Sequence, residues 1–326
     1  MQVVNPQLIS GKKILLRLDI DVLFENGQVA EDFRLRAGLP TIHLCLEHAE
    51  QVIIMGHIGR PEGKVVKELS VAPIKDWLIS QNLSSYLTSG KLKLLENLRF
   101  DPREEAGEIS FAKELVSMGE VFVNEAFASY RPAVSTTVLP ALLPHFAGLR
   151  FAEEVKVLTG VRDNPKKPFI AIMGGAKVKD KLPVIEVLAK KADAVLIGGK
   201  LIHEIKEQGL KLPKNVMVGM LSEDGFDIAP QTTEAWGELI SKAAEIVWNG
   251  PVGKFEDSKN DQTKKVAEMI LDTSAEIVIG GGDSVAALSQ YGLLQKAEEK
   301  AFVSVGGGAM LKLLSDGILP TIEALR

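Results

Sequence analysis

The sequence predicts an α/β protein built as two doubly wound, parallel-sheet, Rossmann-like domains facing a cleft. Three observations lead there. Near-continuous apolar runs alternate with longer amphipathic stretches along the whole chain, the pattern of buried parallel strands joined by crossover helices. At 326 residues the chain is long for one core and comfortable for two. Its chemistry also changes halfway: eight of ten arginines lie within the first 150 residues, and 19 of 29 glycines lie beyond them.

In the first half the strand candidates are KKILLRLDIDV (12–22), QVIIMGHIG (51–59), LKLLENLRF (92–100) and VFVNEAF (121–127). Helical patterns fill 34–49, 70–81, 104–118 and 137–146, the second with Ser70 as an expected cap and Pro73 near its start. A charged amphipathic stretch, RFAEEVKVLTGVRDNPKKPF (150–169), reads as a connecting helix and a stop. The boundary is placed near 158, giving domains 1–158 and 159–311. The second half repeats the alternation in FIAIMGGAK (169–177), AVLIGGK (194–200), IVWNGPVG (246–253), EIVIGGGDS (276–284) and AFVSVGGGA (301–309). Each run ends in glycines, and ligands of open parallel sheets bind beyond the carboxyl ends of the strands. Helical patterns follow at 180–192 and 283–292.

Composition excludes several classes. A formal charge of −5 and a pI near 5.7 argue against a nucleic-acid binder. A single cysteine, Cys45, permits no internal disulfide, and five scattered histidines give no Cys/His metal site. No signal peptide and no apolar run of membrane-spanning length is visible, so a cytoplasmic location is expected.

The first-half strands end in polar groups: Arg17 and Asp19, His57 and Arg60, Glu96 and Arg99, then Asn124 and Glu125, with Arg131 shortly after and Arg34 at the start of the first helix. Parallel strand ends share one edge, so Arg34, His57, Arg60, Arg99 and Arg131 converge. Arginine forks suit carboxylate and phosphate oxygens, and such a set implies a ligand with several negative charges. The competing reading pairs each arginine with a nearby carboxylate. In the second half GGAKVKDK (174–181) puts Lys177 and Lys181 four apart at a helix start. Two cations there are locally unfavourable unless phosphates bind; solvated lysines are the alternative. Neither a P-loop nor a dinucleotide fingerprint is present. Asp283, after three glycines, is a carboxylate suited to Mg²⁺ that also touches phosphates.

Taken in order, RLDIDV, GHIGRPEGK, LLENLRF, VNEAFASYRPAVST, GGAKVKDK, DIAPQT, WNGPVGKFE, GGGDS and VSVGGGA resemble the motifs of the phosphoglycerate kinases over nearly the whole chain. The resemblance implies reversible phosphoryl transfer between 1,3-bisphosphoglycerate with ADP and 3-phosphoglycerate with ATP, Mg²⁺ accompanying the nucleotide. Asp19, Asp21, Arg34, His57, Arg60, Arg99 and Arg131 would then hold phosphoglycerate. Arg34, Lys177 and the helix start at Gly306, Gly307 and Gly308 would serve the transferred group. Gly175, Lys181, Gly199, Asn249, Pro251, Glu256, Gly281, Gly282, Asp283 and Ser284 would hold the nucleotide, Glu256 on the ribose and Asp283 on the metal. The family further implies a glycolytic monomer, closure of the cleft for reaction, and a C-terminal segment, about 312–326, that packs back on the first domain.

Departures accompany the likeness. Asp21 stands for the usual Asn, Ile20 for an aromatic, Glu125 for Asp, Val305 for Thr, and Lys200 for a small or apolar residue. Tyr130-Arg131-Pro132-Ala133 replaces His-Arg-Ala-His, and the stretches between Arg60 and Lys93 and between Leu212 and Asp227 are short. Two other readings stay open on sequence alone: a homologue that binds nucleotide without turnover, and a dehydrogenase on a similar scaffold.

Overall fold

The structure is a computed structural model that describes every residue except Lys177, with Asp180 described by its backbone alone. The chain divides into two compact units, Met1–Lys156 with Ile318–Arg326, and Val157–Gly317.

In the first unit β1 (Lys13–Arg17) is followed by a small hairpin, β2 (Phe24–Glu25) and β3 (Gln28–Val29), and then by β4 (Gln51–Met55), β5 (Leu92–Leu94), β6 (Val121–Asn124) and β7 (His145–Ala147). The hairpin aside, these strands form one parallel sheet in the order β5-β4-β1-β6-β7. Both faces are covered, which is why Ile14, Leu15 and Leu16 are all buried and the run shows no alternation. The chain builds outward from β1, then returns to add β6 on its other side. That reversal leaves a crevice beyond the ends of β1 and β6, where open α/β sheets take ligands.

The second unit repeats the scheme. Its strands β8 (Phe169–Met173), β9 (Ala194–Ile197), β10 (Val216–Val218), β11 (Glu245–Asn249), β12 (Glu276–Gly280) and β13 (Phe302–Val303) lie in the order β10-β9-β8-β11-β12-β13, all parallel. Here the reversal falls between β8 and β11. The α/β class and paired parallel sheets expected from the sequence are thus present.

Several local expectations need correction. Residues 137–146 are not one helix: short helical turns span Val134–Val138 and Leu139–Ala141, and β7 follows. Pro140 and Pro144 each remove a helical donor, and β6 offers an open edge to pair with. The helix expected at 70–81 runs only Ala72–Leu78, stopping before Asn82, whose φ is 62°. Its cap position is Val71; the Ser70 hydroxyl donates to Glu96 and accepts from Ala72 N at 3.4 Å. The stretch 104–118 is two helices, Pro102–Ala106 and Ile109–Val116, parted at the left-handed Gly107. Strand β10 had no expectation attached to it. Residues 312–316 continue the helix Gly307–Asp316 within the second unit, and the return to the first unit begins at Ile318.

Candidate functional site

Arg17 closes β1 in register between Met55 of β4 and Asn124 of β6, at the reversal of the first sheet. It is only 1% exposed, and burial pulls its pKa down against the pull of Glu104 and Asp19. Its guanidinium donates to Leu18 O at 2.5 Å and to His57 Nδ1 at 2.6 Å. Burial, and then the cations Arg17, Arg99 and Arg34, push the His57 pKa down to about 2, so this ring is neutral at pH 7.

A cavity of about 470 Å³ opens at this edge, lined among others by Arg17, Asp21, His57, Arg60, Arg99 and Arg131. Arg99 donates to Gly59 O at 2.8 Å and meets Glu105 at 3.1 Å. Arg36, Arg103, Arg150 and Arg162 also pair with carboxylates, as the competing reading of the arginines required. Arg60 and Arg131 differ: both are exposed on the cavity and neither makes an ion pair among the described residues. Two forks without ion pairs among the described residues, on a cavity also lined by Arg17 and Arg99 and by Asp21, Glu104 and Glu105, suit an anion.

Asp19 and Arg34 do not line that cavity. Asp19, 5% exposed, accepts from Ala128 N and Ser129 Oγ, both at 2.6 Å, and so holds the loop after β6. Arg34 donates to Asp21 O at 2.7 Å. Asp21 accepts from Gly59 N at 3.0 Å, tying the loop after β1 to the loop after β4. Glu125, a departure by one methylene from the family pattern, reaches Thr41 Oγ1 at 2.5 Å and the amides of Arg150 and Phe151 at 3.1 and 3.0 Å. It therefore satisfies the first donors of the helix Leu149–Asp163.

In the second unit the ends of β8 and β11 are bound together. Gly174 N donates to Asn249 O at 2.9 Å and Gly175 N to Pro251 O at 2.7 Å. A side chain at Gly174 would put Cβ 2.2 Å from Pro251 O, so only glycine fits. Lys181, 9% exposed, donates to Gly174 O from below this turn. Ser284 is fully buried, accepting from Gly250 N at 2.7 Å and donating to Gly280 O at 3.0 Å, which joins the ends of β11 and β12. Gly281 precedes the helix Gly282–Gln290 and Gly306 the helix Gly307–Asp316. A Cβ on Gly307 would lie 2.5 Å from Gly281 Cα, so the two helix starts meet. Asn249 Nδ2, 3.2 Å from where a Gly281 Cβ would stand, is buried and has no partner among the described residues. Converging amide donors of this kind suit phosphate oxygens.

Beside these turns is a cavity of about 720 Å³, lined by Gly175, Gly199, Pro251, Glu256 and Asp283, all expected there. Lys181, Asn249, Gly281, Gly282, Ser284, Gly306 and Gly307 do not line it; they build its floor and the adjoining turns. Lys177 lies outside the described residues.

Sequence reasoning gave no role to Glu104 or Ser135, which back Arg17, or to His203 and Phe226, which line the second cavity. Glu104 sits in PREEAGE, which reads as solvated surface; nothing local marks it as buried. Phe226 had one weak signal, an aromatic in a polar turn, and it is 56% exposed with Lys254 Nζ 5.2 Å from its ring centre.

Comparison with known proteins bears on this pair of sites. The family model for phosphoglycerate kinase matches residues 4–223 and 208–317. A phosphoglycerate kinase from Roseiflexus castenholzii is 37% identical, the match covering 97% of this chain and 96% of that protein. It runs over 384 positions, more than the chain's 326 residues, so the relative carries segments the chain lacks. One from Thermomicrobium roseum is 33% identical, covering 100% and 99%. Among solved structures, phosphoglycerate kinase from Coxiella burnetii matches with a TM-score of 0.80 at 30% identity, covering 97% and 96%. That from Pyrococcus horikoshii matches with a TM-score of 0.83 at 26% identity, covering 100% and 98%.

Proposed function

The chain belongs to the phosphoglycerate kinase family, glycolytic phosphotransferases, and we propose that its two cavities divide the substrates of that reaction. Phosphoglycerate takes the arginine-lined cavity of the first unit, and ADP or ATP the glycine-edged cavity of the second. The observation that carries this reading is the pair Arg60 and Arg131, exposed on the first cavity and without ion pairs among the described residues. Asp21, His57 and Arg99 complete that site, while Asp19 and Arg34 hold its loops. Asn249, Glu256 and Asp283, with the turns at Gly175, Gly199, Pro251 and Gly281–Gly282, serve the nucleotide.

The acceptor in the ATP-consuming direction is a carboxylate, already ionised at pH 7, so no general base is required. The neutral His57, with its Nδ1 taken by Arg17, fits that demand as a hydrogen-bond donor and not as a base. Transfer then depends on in-line positioning and on cations and amides around the moving group, here Lys177, Lys181 and the helix start at Gly306–Gly307. Mg²⁺ would be held by Asp283 together with the nucleotide phosphates. Asp283 shares the cavity with Glu204, Asp224 and Glu256, and no cluster of three ligating side chains stands among the described residues, which suits an ion carried mainly by its substrate. When bound, it neutralises charge on the phosphates. Transfer between substrates held by separate units would be gated by closure. A cytoplasmic monomer goes with this reading.

The test is turnover of 3-phosphoglycerate with MgATP in a coupled assay that reports ADP. Activity requiring both substrates supports the proposal. Nucleotide binding without turnover would point to the inactive homologue, and NADH binding to the dehydrogenase.

A further inference from the structure

We propose that Glu104 is a positioning residue which, through Ser135, fixes Arg17, and that Arg17 in turn fixes the His57 ring with Nε2 as a neutral N–H donor to the phosphoglycerate cavity. The proposal rests on the functional reading above for the nature of that ligand, but the relay itself is a property of the first unit.

The direction of every proton in the relay follows from donor chemistry. Burial raises the Glu104 pKa, and the Ser135 hydrogen bond and Arg17 pull it back; in its ionised form the carboxylate only accepts, and an arginine only donates. Glu104, 2% exposed, receives Ser135 Oγ at 2.5 Å and Ser135 N at 3.1 Å. The hydroxyl proton is therefore spent on Glu104, and Ser135 Oγ is left to accept from Arg17 Nε at 2.9 Å. With Nε and Nη1 anchored, Nη2 has one orientation, and it donates to His57 Nδ1 at 2.6 Å. Nδ1 is thus bare and the ring proton is on Nε2. Nε2 lies 4.0 Å from Asp21 Oδ2, on the side of the cavity that both residues line.

A second proton has no place on this ring. Among the described residues the charged groups that act on it are Arg17 from β1, Arg34 from the helix Phe33–His48, Arg99 from the turn Leu98–Phe100, and Asp21 from the loop after β1. Three of the four are cations. The result is a donor whose strength does not vary with pH across the physiological range, set among fixed cations. Glu104 is the largest of the counter-charges acting on buried Arg17, ahead of Asp19 and Asp21.

The experiment uses the full chain labelled with [¹⁵N]histidine, without ligands, from pH 5 to 9, alongside steady-state kinetics. His57 is expected to show one protonated and one bare ring nitrogen throughout, and no inflection near pH 6.5. In Ser135→Ala, which removes only the relaying hydroxyl, the KM for 3-phosphoglycerate should rise about tenfold. The KM for MgATP should stay within about twofold, and the His57 signals should shift or begin to titrate. Glu104→Gln should do the same if it folds; Ser135→Ala carries the test if it does not. A wild-type His57 that titrates between pH 5 and 9 would overturn the proposal. So would a Ser135→Ala protein with unchanged His57 signals and unchanged KM. If wild type does not turn over 3-phosphoglycerate at all, the functional reading fails, while the ligand-free spectra still decide the relay.

Discussion

Replacing Asp21 by Asn should tighten 3-phosphoglycerate binding. Asp21 uses one carboxylate oxygen structurally, accepting from Gly59 N at 3.0 Å, and an Asn carbonyl oxygen can keep that bond. The other oxygen stands 4.0 Å from His57 Nε2, and the side chain is 46% exposed on the anion cavity. The substitution therefore removes a negative charge from the ligand's surroundings without untying the loop. Two unit charges roughly 5 Å apart interact by about 0.8 kcal/mol in bulk water and about 3 kcal/mol at an effective dielectric of 20. A half-exposed group sits toward the watery end, and Arg34, Arg17 and Arg99 lose some attraction to it. A net gain of about 1 kcal/mol remains, or about fivefold in KM. The assay is KM for 3-phosphoglycerate in the two proteins at matched ionic strength, repeated at high salt, where the difference should shrink. An equal or higher KM in the Asn protein would refute the reasoning and make the carboxylate a working acceptor, for instance from the substrate hydroxyl.

Lys177→Ala should lower kcat by about 10²-fold or more while moving either KM far less, since a charge meeting the transferred group acts chiefly in the transition state; steady-state kinetics in both substrates checks this. Gly174→Ala should destabilise the second unit by about 3 kcal/mol and weaken nucleotide binding, because its Cβ would meet backbone oxygens of Pro251 and Gly250 at 2.2 and 2.6 Å that cannot withdraw; thermal unfolding with and without MgADP reads both. Burial raises the Glu125 pKa to about 7, so the folded protein holds a proton there that the unfolded chain releases near the ordinary value. The stability that Glu125 contributes is full below about pH 4.3 and is lost as pH rises through about 7, at up to about 1.4 kcal/mol per pH unit. Urea denaturation of Glu125→Gln from pH 5 to 8 should show that slope flattened, and an unaltered slope would assign it to other groups.

The sequence by itself determined the class of the fold and the position of most strands. Buried parallel strands must be apolar on both faces, and β1, β4, β6, β8, β9, β11 and β12 fall within runs that look like nothing else. It also put the candidate site residues near strand ends, and the reversal between β1 and β6, and again between β8 and β11, gathers what those strands end in. Short elements were not legible. Strand β7 follows two prolines in a stretch with helical spacing, and β10 is three residues long; both exist because a neighbouring edge was there to pair with. Nor could the sequence separate the arginines that pair from those that stand open. Arg103 lies two residues from Asp101, its partner, and Arg99 six from Glu105, whereas Arg60 and Arg131 have acidic residues nearby in sequence and none within reach among the described residues. The relay from Glu104 to His57 was hidden for the same reason. It joins residues 31, 118 and 40 positions apart, and hydrogen-bond partners that distant are chosen by the packing of β1, β4 and the segment after β6, not by any local pattern.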